Sequence, residues 1–129
     1  MSYNWQYIIS NIDGNHVPLK PFWRKSDVEE TYNKHKHELQ SNNIGIAEYV
    51  SKTYLCGKNT NIVSNEFPYD ITDDIGHYVL WSREPLDAAQ IHTFLMVNMY
   101  TSEFVWFENP IQYKSIPEVW HCHVMCRTV

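Results

Sequence analysis

The chain closes on nine alternating residues, Val119-Trp120-His121-Cys122-His123-Val124-Met125-Cys126-Arg127. Successive side chains on a β-strand point to opposite faces. The stretch therefore predicts a strand with Trp120, Cys122, Val124 and Cys126 on one face and His121, His123 and Met125 on the other. The first row is apolar and suits a core. The second offers two imidazoles about 6.6 Å apart, the rise over two strand residues. Such a strand needs neighbours on both edges and a layer over its apolar face, so it commits the chain to a sheet with packed helices.

The segments before it supply those parts. Residues 1–25 hold Gly14, Pro18 and Pro21 and read as an N-terminal arm with scattered aromatics. Ser26-Asp27-Val28-Glu29 fits a capping box, with Ser26 at N-cap and Glu29 at N3. Val28, Tyr32, His35 and Leu39 follow at helical spacing and predict a helix over 27–40. A second helix is expected over 44–55, with Ala47, Val50 and Tyr54 on one face and Gly57 as its stop. The polar stretch 57–76 carries one short strand near 61–64. His77-Tyr78-Val79-Leu80-Trp81-Ser82 is rich in strand formers. Pro85-Leu86-Asp87 opens a helix running to about Tyr100, with Ile91, Phe94, Leu95, Asn98 and Met99 inward. Phe104–Phe107 is a strand, and 109–117 a loop. The expectation is one α+β domain over 1–129: the arm, a helical part over 26–56, and a strand–helix–strand–loop–strand core over 57–129, with the last strands antiparallel.

Composition narrows the function. The chain has 129 residues and a formal charge of −5, with no dense Lys/Arg run. A duplex nucleic-acid binder carries a basic stripe, so that class is disfavoured. A single nucleotide or phosphorylated sugar needs only one or two cations and stays open. Three cysteines are an odd number and fit a reducing compartment better than a disulfide framework. No signal-like N-terminus and no long apolar run are present, so the expected protein is soluble and cytoplasmic, with no membrane partner.

The chemistry-bearing candidates are His121 and His123, with His77 at the start of a neighbouring strand. Imidazole titrates near neutrality and suits general acid–base or nucleophilic work at phosphorus or a carbonyl. The alternative is a metal site, zinc or another transition metal, held by His121, His123 and a third ligand. That third ligand would be His77, Cys126, or one of Asp70, Asp73 and Asp74; Cys126 belongs to the opposite face. The three acids are not at calcium-loop spacing. His35 and His37 are two apart on a helix, do not face each other, and read as a solvated face. Arg83 and Lys114 could hold a phosphate, with Ser115 as a hydroxyl donor.

Two blocks carry a resemblance. One is Phe67-Pro68-Tyr69 followed by Asp74-Ile75-Gly76-His77-Tyr78-Val79-Leu80-Trp81-Ser82. The other is Val105-Trp106-Phe107-Glu108-Asn109-Pro110, then Lys114-Ser115-Ile116-Pro117-Glu118-Val119-Trp120-His121-Cys122-His123-Val124. Over residues 65–126 the chain resembles a family of small uncharacterised proteins from fungi and large DNA viruses, which includes the N-acetylglucosamine-induced protein. That family implies no reaction. A more distant likeness is to the histidine-triad nucleotide hydrolases and transferases, whose motif is three alternating histidines on a late strand. His121 matches the first and His123 the middle, nucleophilic one, while Met125 stands in place of the third. Ser115-Ile116-Pro117 resembles the loop of the aprataxin branch, and Ser115 and Asn109 match its phosphate donors. The likeness implies a histidine-triad-like antiparallel sheet. It also implies a metal-free cleft for a nucleotide or nucleotide sugar, with His123 and His121 catalytic and Ser115 and Asn109 at the phosphate. The residues themselves add His77 to the catalytic set and Arg83 and Lys114 as the cations that hold the ligand. A non-enzymatic interaction module, docking through the aromatic arm, is the remaining reading.

Overall fold

The final strand takes a central place in the sheet, because both its edges are paired. The structure is a computed structural model describing residues 2–99 and 103–127. Four strands, β1 (Thr60–Ser64), β2 (Ile75–Ser82), β3 (Phe104–Phe107) and β4 (Trp120–Arg127), form one antiparallel sheet in the order β1-β2-β4-β3. The architecture is α+β. The register pairs His77 with Met125, Val79 with His123 and Trp81 with His121. Strand alternation thus gathers His77, His121 and His123 on one face, with Phe107 opposite His123.

The other face carries Leu80, Trp106, Cys122 and Val124, and α4 (Ala88–Asn98) lies over it through Ile91 and Leu95. Asp87 caps that helix in a reciprocal box with Gln90, so its first turn is well specified. Asn98, expected to point inward, is exposed. The expected end of the helix at Tyr100 lies outside the described residues. Among the described residues no helix is long and apolar enough to cross a membrane.

The histidine face is covered as well, which corrects the expectation of a face left open to a cleft. The N-terminal arm folds across it. Within the arm α1 (Trp5–Ser10) starts at Asn4, whose side chain accepts from the Tyr7 amide, and buries Ile8. Phe22 stacks on Tyr69 and Phe107, and Ile8, Phe22, Tyr69, Ile75, Phe107 and Met125 form a continuous core. Asn11 fixes the arm's return by bonding both backbone groups of Lys20. The rest of the face is covered by α3 (Ile46–Val50) and the π-helical turn Ser51–Leu55 that continues it, through Val50 and Leu55 against Val79, Trp81 and Ile116. The turn stops where Cys56 and Gly57 take left-handed backbone, φ 53° and 80°.

α2 (Ser26–Ser41) begins one residue earlier than a box on Ser26 requires. Lys25 is the N-cap, no side chain caps it, and Glu29 instead pairs with Arg24 at 3.1 Å. His35 is not on a solvated face: its ring meets Tyr49 and Phe67, and its Nε2 is buried without a partner among the described residues.

The sheet edge at β3 is closed by a single loop residue. His16 adopts left-handed backbone, φ 59°, and lays its ring flat on Trp106 at 3.7 Å. Its Nδ1 donates to the Trp106 carbonyl at 3.2 Å, and its own carbonyl accepts from the Glu108 amide at 2.9 Å.

One glycine is required by packing. A Cβ on Gly76 would lie 2.9 Å from the Tyr78 ring and 3.0 Å from the Cys126 sulfur. Gly76→Ala is expected to destabilise the protein by about 1–2 kcal/mol through overpacking, read as a lower urea midpoint with unchanged slope. An unchanged midpoint would mean the strands move apart freely at this point.

Candidate functional site

The three histidines of the covered face sit between 4 and 5% exposed. Two of them form a closed hydrogen-bonded ring with Tyr69. The Tyr69 amide donates to Nδ1 of His77 at 3.2 Å. A backbone N–H is always a donor, so this nitrogen bears the lone pair and the proton of His77 is on Nε2. Nε2 donates to Nδ1 of His123 at 2.9 Å. The proton of His123 is then on its own Nε2, 3.4 Å from the Tyr69 hydroxyl. That hydroxyl also accepts from Asn109 Nδ2 at 3.0 Å. Asn65 Nδ2 lies 3.3 Å from Nε2 of His77, a contact and not a second donated bond once Nε2 carries hydrogen.

Burial sets the charge state of this ring. It lowers the His77 pKa to about 3, with the Arg24 charge acting in the same direction. Burial lowers His123 well below its ordinary value too, followed by the neighbouring His77, His121 and Arg24. Desolvation raises Tyr69, opposed by its bond from Asn109. The ring is therefore neutral at neutral pH, and both nitrogens of each imidazole are committed.

His121 differs. Its Nδ1 donates to the Val119 carbonyl at 2.9 Å, which places the lone pair on Nε2. Its ring lies on Trp81, centroids 4.5 Å apart, and burial lowers its pKa against the raising effect of the Val119 bond. His121, His123 and Trp81 line a chamber of about 40 Å³ together with Arg24, Tyr32 and Ser115. That is room for a water or two and not for a nucleotide. Trp81 Nε1 is buried without a partner among the described residues.

A surface cleft of about 300 Å³ adjoins the chamber, lined by Trp23, Arg24, Tyr69, Asn109, Tyr113 and Ser115 among others. Arg24 and Ser115 line both spaces. Arg24 donates through Nε to the Phe67 carbonyl at 2.8 Å, pairs with Glu29, and holds its guanidinium 4.2 Å from the Tyr32 ring centre. Ser115 Oγ accepts from the Tyr32 hydroxyl at 2.8 Å.

The structure thus brings His77, His121, His123, Asn109 and Ser115 to one region. Arg83 is not there. It is exposed and bonds the Lys58 carbonyl and Ser51 hydroxyl, because β2 ends on the side where β1 and the π-helical turn meet. Lys114 points elsewhere, pairing with Glu108 at 2.8 Å beside a separate cleft of about 640 Å³ shared with His16. The alternative metal set of His77, His121 and His123 is not assembled. His77 and His123 bond each other directly, and among the described residues no group of three or more His, Cys, Asp or Glu could hold a metal ion. Cys126 lies on the opposite face, against Gly76. Asp70 accepts from Ser2 of the N-terminal arm and Asp74 from Thr72 of its own loop, so these two acids have structural partners. Arg24 and Tyr69 were not singled out from the sequence. The signal for Arg24 is its place in Phe22-Trp23-Arg24, a cation among rings; that for Tyr69 is its place in Phe67-Pro68-Tyr69, one of the stretches that carry the family resemblance.

Comparison with known proteins places the family and the fold. The chain is 24% identical over 127 residues to N-acetylglucosamine-induced protein 1 of Candida albicans, covering 83% of this chain and 48% of that one. The chain thus spans about half the length of that curated relative. The crystal structure of HTC1 shares the fold, with a TM-score of 0.75 at 18% identity over 99% of this chain and 86% of that one. A family model described as "Protein of unknown function (DUF3605)" matches residues 4–127, nearly the whole described structure, and the chain belongs to that family.

Proposed function

We propose that this protein binds a small phosphorylated ligand, a nucleotide or nucleotide sugar, in the cleft beside Arg24. The observation that carries the reading is the shared lining: Arg24 and Ser115 border both the cleft and the histidine chamber. A ligand body of nucleotide size fits the cleft's volume, which lies at the lower end for small-molecule sites. Trp23 is 67% exposed and Tyr113 38%, and these rings offer a stacking surface. Arg24 supplies the charge for phosphate, competing with the half-exposed Glu29 for its guanidinium. Asn109 and Ser115 supply polar edges.

Binding is favoured over phosphoryl or nucleotidyl transfer through His123. A nucleophilic imidazole needs a free lone pair facing its substrate, and the Nε2 of His123 carries the proton of the ring with Tyr69. Any proton transfer falls to Nε2 of His121, the uncommitted ring nitrogen of the three.

A thermal-shift panel of nucleoside mono-, di- and triphosphates and nucleotide sugars tests the reading. UDP-N-acetylglucosamine belongs in the panel because it is the nucleotide sugar that carries N-acetylglucosamine, for whose induction the fungal relative is named. A ligand at a hundred times its Kd stabilises by about 2.7 kcal/mol, several degrees in Tm. The shift should vanish in Arg24→Gln and persist in Arg83→Gln. No shift with any member, or equal loss in both variants, would sink the reading.

A further inference from the structure

Trp81 and His121 hold an unused donor and an unused acceptor side by side. Trp81 is 4% exposed, and its Nε1–H has no partner among the described residues. Its ring packs against Tyr54, 10° from parallel with centroids 5.4 Å apart, and against His121 at 34° and 4.5 Å. An indole N–H lies in the plane of its ring, so neither stacked neighbour accepts from it. On His121 the Nδ1–H is engaged by the Val119 carbonyl, which leaves the lone pair on Nε2. Burial lowers the pKa of this ring, so the lone pair is present at neutral pH.

Both residues line the chamber of about 40 Å³. Much of the remaining lining is satisfied or apolar. The Tyr54 hydroxyl donates to Glu66 at 2.7 Å and that of Tyr32 to Ser115, while Val63, Val79 and Ile116 are apolar walls. The chamber reaches the surface at Ser64 and Glu66, which are exposed. A buried polar group without a partner is destabilising, and native proteins keep few of them.

The donor–acceptor pair selects what the chamber holds. An anion would face the His121 lone pair, and a cation would face the Trp81 N–H. A single atom that both accepts and donates satisfies the two together, and that atom is a hydroxyl or water oxygen. A water occupies about 30 Å³ in the liquid, so one such group fills most of the space and a sugar ring or base stays outside. We propose that the chamber is a hydroxyl subsite. Its oxygen accepts from Trp81 Nε1–H and donates to His121 Nε2; it belongs to a water in the free protein and to the hydroxyl of a small alcohol when one is bound. The subsite is separate from ligand binding beside Arg24, because neither Trp81 nor His121 lines that cleft.

Nuclear magnetic resonance on the isotope-labelled full chain tests the proposal. The Trp81 indole proton should give a rotating-frame Overhauser peak to water, opposite in sign to an exchange peak. Methanol, titrated to about 0.5 M because two heavy atoms bind no tighter than the millimolar range, should shift the Trp81 N–H saturably and move the His121 Nε2 resonance with it. Acetonitrile accepts but does not donate, and should leave His121 Nε2 in place. His121→Phe keeps a ring against Trp81 and removes the acceptor, so the saturable methanol shift should be lost. Absence of the water peak or of the saturable methanol shift in the wild type overturns the proposal. So does an acetonitrile response equal to that of methanol, or a methanol response intact in His121→Phe. Should that variant not fold, the methanol and acetonitrile titrations of the wild type decide alone.

Discussion

His123→Ala is expected to cost the fold about 3–4 kcal/mol, seen as a lower midpoint in urea unfolding at pH 7.5. The ring is buried against Phe107, Tyr69, His77 and His121, with centroids between 5.1 and 5.6 Å away. Truncation opens a cavity and strands the Nε2–H of His77, while the Tyr69 hydroxyl keeps its bond from Asn109. His123→Phe separates the two effects. It keeps the volume and the stack on Phe107 but leaves Nε2–H of His77 unpaired, at about 1–3 kcal/mol. If phenylalanine costs nothing while alanine costs the full amount, the ring of hydrogen bonds contributes nothing to holding the faces together.

Mild acid should have a comparable effect on the intact protein. The His77 pKa is lowered from 6.5 to about 3 by burial, while the unfolded chain regains the ordinary value. A group with a depressed folded pKa binds protons preferentially in the unfolded state at intermediate pH. Its stabilising contribution is full above pH 6.5 and is lost as pH falls from there toward 3. His77 alone removes about 1.4 kcal/mol between pH 8 and 5.5. His123 and His121 are lowered by the same burial and act in the same direction. Stability measured by urea unfolding at pH 7.5, 6.5 and 5.5 should therefore drop steeply before the carboxylates titrate. His77→Asn starts less stable but loses about 1 kcal/mol less per pH unit between 6 and 5. A wild type equally stable at pH 7.5 and 5.5 would refute the neutral buried ring.

Period two in residues 120–127 was enough to predict both faces of β4 and, with residues 77–82, the partner that shares its histidine face. The helix opened by Asp87 was legible for the same reason: its cap and its inward residues are local. What covers the histidine face was not legible. Ile8, Phe22 and Tyr69 lie far from β4 in sequence, and α1 is six residues of mostly aromatic and β-branched type with little helix propensity of its own. It exists because the sheet receives Ile8. The same distance hid the role of Tyr69, which closes the ring with both its amide and its hydroxyl. Arg83 lies away from the histidines for a related reason. Sequence places it at the end of β2 but does not say toward which neighbour it leans, and the π-helical turn with its Ser51 hydroxyl takes it.

His16 bears on how this protein behaves when crowded. An outer strand with bare amides and carbonyls is a template on which another chain can add a strand, and then another. At β3 that template is occupied by a residue of the same molecule, held in a backbone conformation that costs energy for a side chain of its kind. The arm therefore serves as a terminator of sheet growth. A lesion that frees it, by proteolysis between Asp13 and Val17 or by loss of the Asp13 contacts that shape the turn, would turn a capped sheet edge into a seed for filament growth.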